Sequence, residues 1–172
     1  ESVVINKFIT LEGAGPDKTT IYNNSGMAVR IGSSASVNAE VRGFTITGMT
    51  YGVYVGDTSA NSTAIIRNNY IVGCGSTGIA VANYENSTII NNVIAYNNSH
   101  GVTIGYHGSL AIFNNIIAFN NGWGVLDATT TSYNNVSDNA SGNFNITKGQ
   151  GDISLNPKFV AAAAGNYQLA SD

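Results

Sequence analysis

Charge is scarce in this chain, and that scarcity excludes whole classes of function. Seven of the 172 residues are Lys or Arg and ten are Asp or Glu, 10% in all, against roughly 25% in an average soluble domain. A net charge of −3 with no basic cluster offers a polyanion nothing to follow, so no nucleic-acid partner is expected. One cysteine, Cys74, rules out an internal disulfide and carries no redox information. No apolar run reaches the roughly 18 residues of a membrane-spanning helix, so no membrane span is expected. The opening ESVVINKFIT lacks the basic start and cleavage pattern of a signal peptide, so any secretion signal is expected to be gone already.

Amides, hydroxyls and glycine replace the missing charge: there are 24 Asn and 20 Gly. Such a surface suits an extracellular or cell-surface protein, and the length suits one domain. The asparagines are ordered. IINNVIAYNN at 89–98 returns as IFNNIIAFNN at 112–121. Reading the second asparagine of each doublet as one slot gives Asn69, Asn92, Asn115 and Asn135, with Phe44 one unit earlier. Two places after the slot come Ile46, Ile71, Ile94, Ile117 and Ser137; three before it come Val41, Ile66, Ile89, Ile112 and Ser132. A second column, AVRI, GVYV, GIAV, GVTI and GVLD, starts at Ala28, Gly52, Gly78, Gly101 and Gly124 and keeps the same period of about 23.

Short β-branched runs with period-two alternation, parted by Gly and Asn, read as strands and turns. Leucine is too scarce for a leucine-rich repeat, and a left-handed hexapeptide coil would repeat near 18 residues. The expected fold is all-β: a right-handed single-stranded parallel β-helix of roughly six coils, each about 23 residues. Stacked coils lie about 4.8 Å apart, so an inward Asn meets its own copy above and below. A buried amide left unpaired costs roughly 1–3 kcal/mol, and a ladder at Asn69, Asn92, Asn115 and Asn135 removes that cost.

These residues resemble the right-handed parallel β-helix proteins of the pectate-lyase-like superfamily, which includes carbohydrate-binding proteins and sugar hydrolases. INKFITLEGAGPDKTTI at 5–21 is similar to that group's first coil, and DISLNPKFV with GNYQLASD at 152–172 to its closing segment. Residues 1–139 are read as coils and 140–172 as an irregular capping tail of the same domain, with Asp127 marking where regular coiling fails. Both ends look cut, so either the chain is part of a longer protein or its uncovered first coil docks on a partner, such as another copy.

Within the glycine-led strands, the first and third residues after the glycine are expected to point inward. The second points out, giving the column Arg30, Tyr54, Ala80, Thr103 and Leu126. Before the glycine stand Met27, Tyr51, Thr77, His100 and Trp123, and beyond the strand Asp57, Tyr84, Glu85, Tyr106 and His107. Enzymes that this chain resembles work from an outer strand face and its flanking loops. Asp57 and Glu85 follow equivalent strands and would be the two carboxylates of a glycoside hydrolase. Arg30, Tyr54, Tyr106 and His107 supply the side-chain types of a polysaccharide lyase, where the resemblance implies calcium, although the carboxylate cluster calcium prefers is not evident. Otherwise no cofactor is expected. His100 and His107 lack a third ligand at metal spacing, so no metal site is expected. GCGSTG at 73–78 matches a dinucleotide pattern but leads into a strand, where that pattern has no phosphate-holding helix.

Tyr51, Tyr54, Tyr84, His100, Tyr106 and Trp123 are the carbohydrate-binding candidates, expected to form a ridge; rings with amide neighbours suit sugars. Asn23, Asn61, Asn86, Asn97, Asn135, Asn139 and Asn145 lie in Asn-x-Ser/Thr sites, and all but the laddered Asn135 are open to glycosylation if the source cell performs it. The sequence therefore reads as a secreted or cell-surface β-helix module without its own catalytic machinery, serving display, assembly or polysaccharide contact. The alternative is a lyase or hydrolase of an acidic polysaccharide using Arg30, Tyr54, Asp57, Glu85 and His107. The third is a filament subunit stacking end to end.

Overall fold

In the computed structural model, which describes residues 1–32, 36–56 and 62–171, the chain winds as a parallel β-solenoid of about six turns. Among the described residues all but two of the strands fall into three parallel sheets of seven, six and six. Sheet A stacks Val3–Ile5, Val29–Ile31, Val53–Val55, Ile79–Val81, Val102–Ile104, Trp123–Leu126 and Gly142–Phe144, and its strands number the coils one to seven. Sheet B runs from Ile9–Glu12 to Thr130–Ser132, and sheet C from Thr20–Asn23 to Asn135–Ser137. Pairing is residue on equivalent residue: Val53, Ile79 and Val102 align, as do Ile66, Ile89 and Ile112, and Ile71, Ile94 and Ile117. All of these are fully buried, each burial contributing roughly 1.5–3 kcal/mol. The second residue after each glycine does point outward, aligning Arg30, Tyr54, Ala80, Thr103 and Leu126.

The doublets divide two tasks at the corner between sheets B and C. The first residue takes left-handed backbone, at φ 55° in Asn68, Asn91 and Asn114, a conformation Asn tolerates better than most side chains. The second turns its amide inward. Asn92 Oδ1 accepts from Asn69 N–H at 3.0 Å and Asn69 Nδ2 at 3.2 Å. Asn115 Oδ1 accepts from Asn92 N–H and Nδ2 at 2.9 and 3.0 Å. Nδ2 of Asn92 also donates to the Ile66 and Ile90 carbonyls, so the amide is paired on every side.

The last rung departs from the expected register. Asn134, fully buried, accepts from Asn115. Asn135 faces outward, where its Oδ1 accepts from Leu155 N–H. The reason lies one residue earlier: Tyr133, at φ 56°, fills the left-handed place that Asn fills elsewhere, so the doublet slides by one. A one-residue slip exchanges the faces of a strand. Thr131 and Val136, not Ser132 and Ser137, accordingly continue the isoleucine columns.

A second ladder, not anticipated from sequence, lines the corner between sheets C and A. Asn97 Nδ2 donates to Asn120 Oδ1 and Asn120 Nδ2 to Asn139 Oδ1, each at 2.8 Å. Cys74 stands at its head, donating its N–H to Asn97 Oδ1. Burial pushes the Cys74 thiol up to about 11, which keeps it protonated and unreactive. Left-handed residues again precede the rungs, and the rings of Tyr96 and Phe119 stack at 5.1 Å.

Sheet A passes residue 139, pairing Trp123 and Val125 with Gly142 and Phe144. Leu126 ends its strand and Asp127 is exposed at φ 62°, but coiling does not fail there as expected: Thr130–Ser132, Asn135–Ser137 and Gly142–Phe144 carry the three sheets on in parallel. The tail then divides. Gln150–Ile153 caps the final edge: Tyr133 N–H donates to Gln150 carbonyl, and Val136 N–H to Ile153 carbonyl. An end-to-end filament would have to displace this segment. Phe159–Ala161 and Asn166–Leu169 instead form an antiparallel ribbon on the outer side of sheet C. There Phe159 and Tyr167 pack over Val72, Val93 and Ala95. Phe159→Ala is expected to cost about 1–2 kcal/mol, less than a core phenylalanine because the ring is half-buried. An unchanged denaturant midpoint would mean that the ribbon does not pack there.

Candidate functional site

The catalytic candidates are not gathered into one site. Glu85, expected beyond the strand as one of two hydrolase carboxylates, is fully buried. It stands in register with Ser62, one coil earlier. Val37 N–H donates to Ser62 Oγ at 3.3 Å, and Ser62 N–H donates to Glu85 Oε2. The carboxylate thus tethers the preceding coil, as the ladder amides do. Gly56, at φ 114°, makes room for it, since a Cβ there would lie 2.5 Å from Glu85 Cγ. An inward carboxylate cannot reach a glycosidic bond outside the solenoid, so Glu85 is corrected from a catalytic to a structural residue. Asp57, its expected partner, lies outside the described residues.

Arg30 and Tyr54 are direct neighbours on the outer face of sheet A. Tyr106 and His107 belong to coil five, about 10 Å from Tyr54 along the stack at one coil per 4.8 Å. Ala80 and Thr103 fill the face between. Among the described residues, no three His, Cys, Asp or Glu side chains are close enough to hold a metal ion.

The aromatic candidates fall into three groups instead of one ridge, because the buried Thr77 interrupts the column between Tyr51 and His100. Tyr51 and Tyr54, both half-buried, meet at 5.4 Å. Trp123 N–H donates to His100 Nδ1 at 2.9 Å, and a Cβ at Gly142 would strike the Trp123 ring. One face of that indole is therefore occupied by the next coil.

The third group, at the corner between sheets A and B, is open. Tyr84 and His107 occupy matching left-handed positions on successive coils, φ 62° and 61°. Their rings stack at 5.2 Å and 14°, so each covers one face of the other. Beside them Tyr106 is 80% exposed. Asn83 Oδ1 accepts its backbone N–H at 2.8 Å, fixing the loop that carries it. A free phenol face beside the Tyr84–His107 pair and the Asn83 amide is the combination that sugar rings use. Sequence placed these residues beyond the strand but could not say which rings would stack together.

The Asn-x-Ser/Thr sites also separate. Asn23, Asn97 and Asn139 are buried, the last two in the second ladder, which corrects the expectation that they are open. Asn86 and Asn145 are exposed and Asn135 is half-buried, while Asn61 lies outside the described residues.

A family model for the right handed beta helix region matches residues 9–160. No curated protein and no solved structure matches the chain. With the parallel coils, aligned registers and side-chain ladders, that match is decisive for the fold: the chain belongs to the right-handed β-helix family.

Proposed function

We propose that this chain is a rigid β-helix module of a secreted or cell-surface protein that contacts polysaccharide at the corner holding Tyr84, Tyr106 and His107. The observation that carries the reading is the Tyr106 ring, 80% exposed on a loop fixed by Asn83 and flanked by a stacked ring pair. A platform on a rigid scaffold loses little conformational entropy on binding, which favours affinity from few contacts. A catalytic role draws less support, because Glu85 is buried and Arg30 and Tyr54 sit coils away from His107.

Affinity electrophoresis of the whole chain through gels carrying different polysaccharides tests this. At least one is expected to retard it, and Tyr106→Ala is expected to weaken the apparent affinity about tenfold, or roughly 1.4 kcal/mol, without moving the melting temperature. Retardation unchanged in Tyr106→Ala would remove the site. Unsaturated uronide released from pectin or alginate, and lost in Tyr54→Phe, would favour the lyase instead.

A further inference from the structure

Resting on that reading, we infer that the polysaccharide taken at the Tyr106 corner is an uncharged one. The placement of the seven Lys and Arg residues carries this inference. Arg42 and Arg67 are engaged on sheet B, Arg42 with Glu12 at 2.7 Å and Glu40 at 3.1 Å, Arg67 with Glu40 at 2.7 Å. Lys148 lies over the Phe144 ring and donates to Ser154. Lys158 belongs to the tail segment leading into the ribbon on sheet C, and Lys18 to the first coil. Lys7 follows the first strand of sheet A, three coils before Tyr84 and so about 14 Å along the stack. That exceeds the screening length of about 8 Å at physiological salt. Arg30 is two coils from Tyr84, on the sheet face and not at the corner. Segments 33–35 and 57–61 contain no Lys or Arg.

What the corner does hold is opposite in sign. On the next coil the turn from sheet A to sheet B is four residues shorter, and Asp127 takes left-handed backbone in it, at φ 62°. Asn145 Nδ2 donates to its Oδ1 at 2.8 Å, and Asp127 N–H donates to Asn145 Oδ1 at 2.8 Å. The carboxylate is thereby held at the same corner of the solenoid, on the coil after the one that carries His107. A uronate or sulfated chain laid over Tyr106 would meet this negative charge, while Arg42 and Arg67 are already paired with Glu12 and Glu40 and Lys148 is held over Phe144. An uncharged chain meets a ring face, a phenol hydroxyl, an imidazole edge and an amide, all suited to C–H surface and hydroxyl groups.

The same gels decide it when run with neutral polysaccharides (a mixed-linkage β-glucan, a xylan, a galactomannan) and with uronates (polygalacturonate, alginate), each at low and high salt. The expected result is retardation by a neutral polymer, changed less than about twofold by salt, and weakened about tenfold by Tyr106→Ala. Retardation by a uronate alone, screened by salt and still lost in Tyr106→Ala, would overturn the uncharged ligand and leave the polysaccharide module standing. No retardation by any polymer would overturn both.

Discussion

Asn92→Ala is expected to lower stability by about 2–4 kcal/mol, because several buried groups lose partners together. Asn69 N–H and Nδ2 lose their shared acceptor, and the Ile66 and Ile90 carbonyls and Asn115 Oδ1 lose a donor. For a chain of this length, each kcal/mol moves the melting temperature by about 2–4 °C. Asn135→Ala is the internal control: its half-buried amide accepts only from exposed Leu155 among the bonds described, so the change should stay within about 1 kcal/mol. Equal losses in the two variants, read by chemical denaturation, would restore Asn135 to the ladder and defeat the register described above.

The second large effect lies at the ladder's end. Each rung of the first ladder donates to the amide oxygen of the next, so the last amide, Asn134, needs an acceptor beyond it. Asp152 supplies it. Its Oδ1 accepts from Asn134 N–H and Nδ2 at 2.8 and 2.9 Å, and its Oδ2 from Thr131 Oγ at 2.6 Å and Gly149 N–H at 2.8 Å. Burial alone would raise this carboxyl, but the bonds from Thr131, Asn134 and Gly149 outweigh it and hold it below the usual 3.8. A depressed folded value contributes stability that is present above the unfolded value of 3.8 and is lost as pH falls through the lower folded one. Asp152→Ala is expected to cost about 2–4 kcal/mol near neutral pH. It should also flatten the decline in stability below about pH 4. Asp152→Asn should recover only part of the loss, since an amide NH₂ must then face Thr131 or Asn134 donors. A wild-type and an Asp152→Ala chain with parallel pH–stability curves would show that the carboxylate does not terminate the ladder.

Both effects depend on details that were unequally legible in the sequence. The period showed because every coil has the same local needs, a left-handed residue followed by an inward amide. Where Asn fills both places, at Asn68–Asn69, Asn91–Asn92 and Asn114–Asn115, doublet and ladder coincide. Where an aromatic residue takes the left-handed place, the signal misleads. Tyr133 shifted the last rung to Asn134, and Tyr96 and Phe119 concealed the second ladder at Asn97 and Asn120. Glu85 was misread for a related reason: its own coil-to-coil tether is written with three different residue types, Val37, Ser62 and Glu85.

Sequence by itself determined the parallel coils, their spacing and the inward apolar columns, because side chains stacked on their own copies must recur at one interval along the chain. Only the tertiary structure decided that Glu85 turns inward while Tyr106 stands in solvent. It also decided that the tail splits between the final edge and the side of sheet C, and that Arg42 and Arg67 pair with Glu12 and Glu40 on sheet B. These outcomes arise from contacts among residues that do not repeat, and such contacts leave no periodic trace.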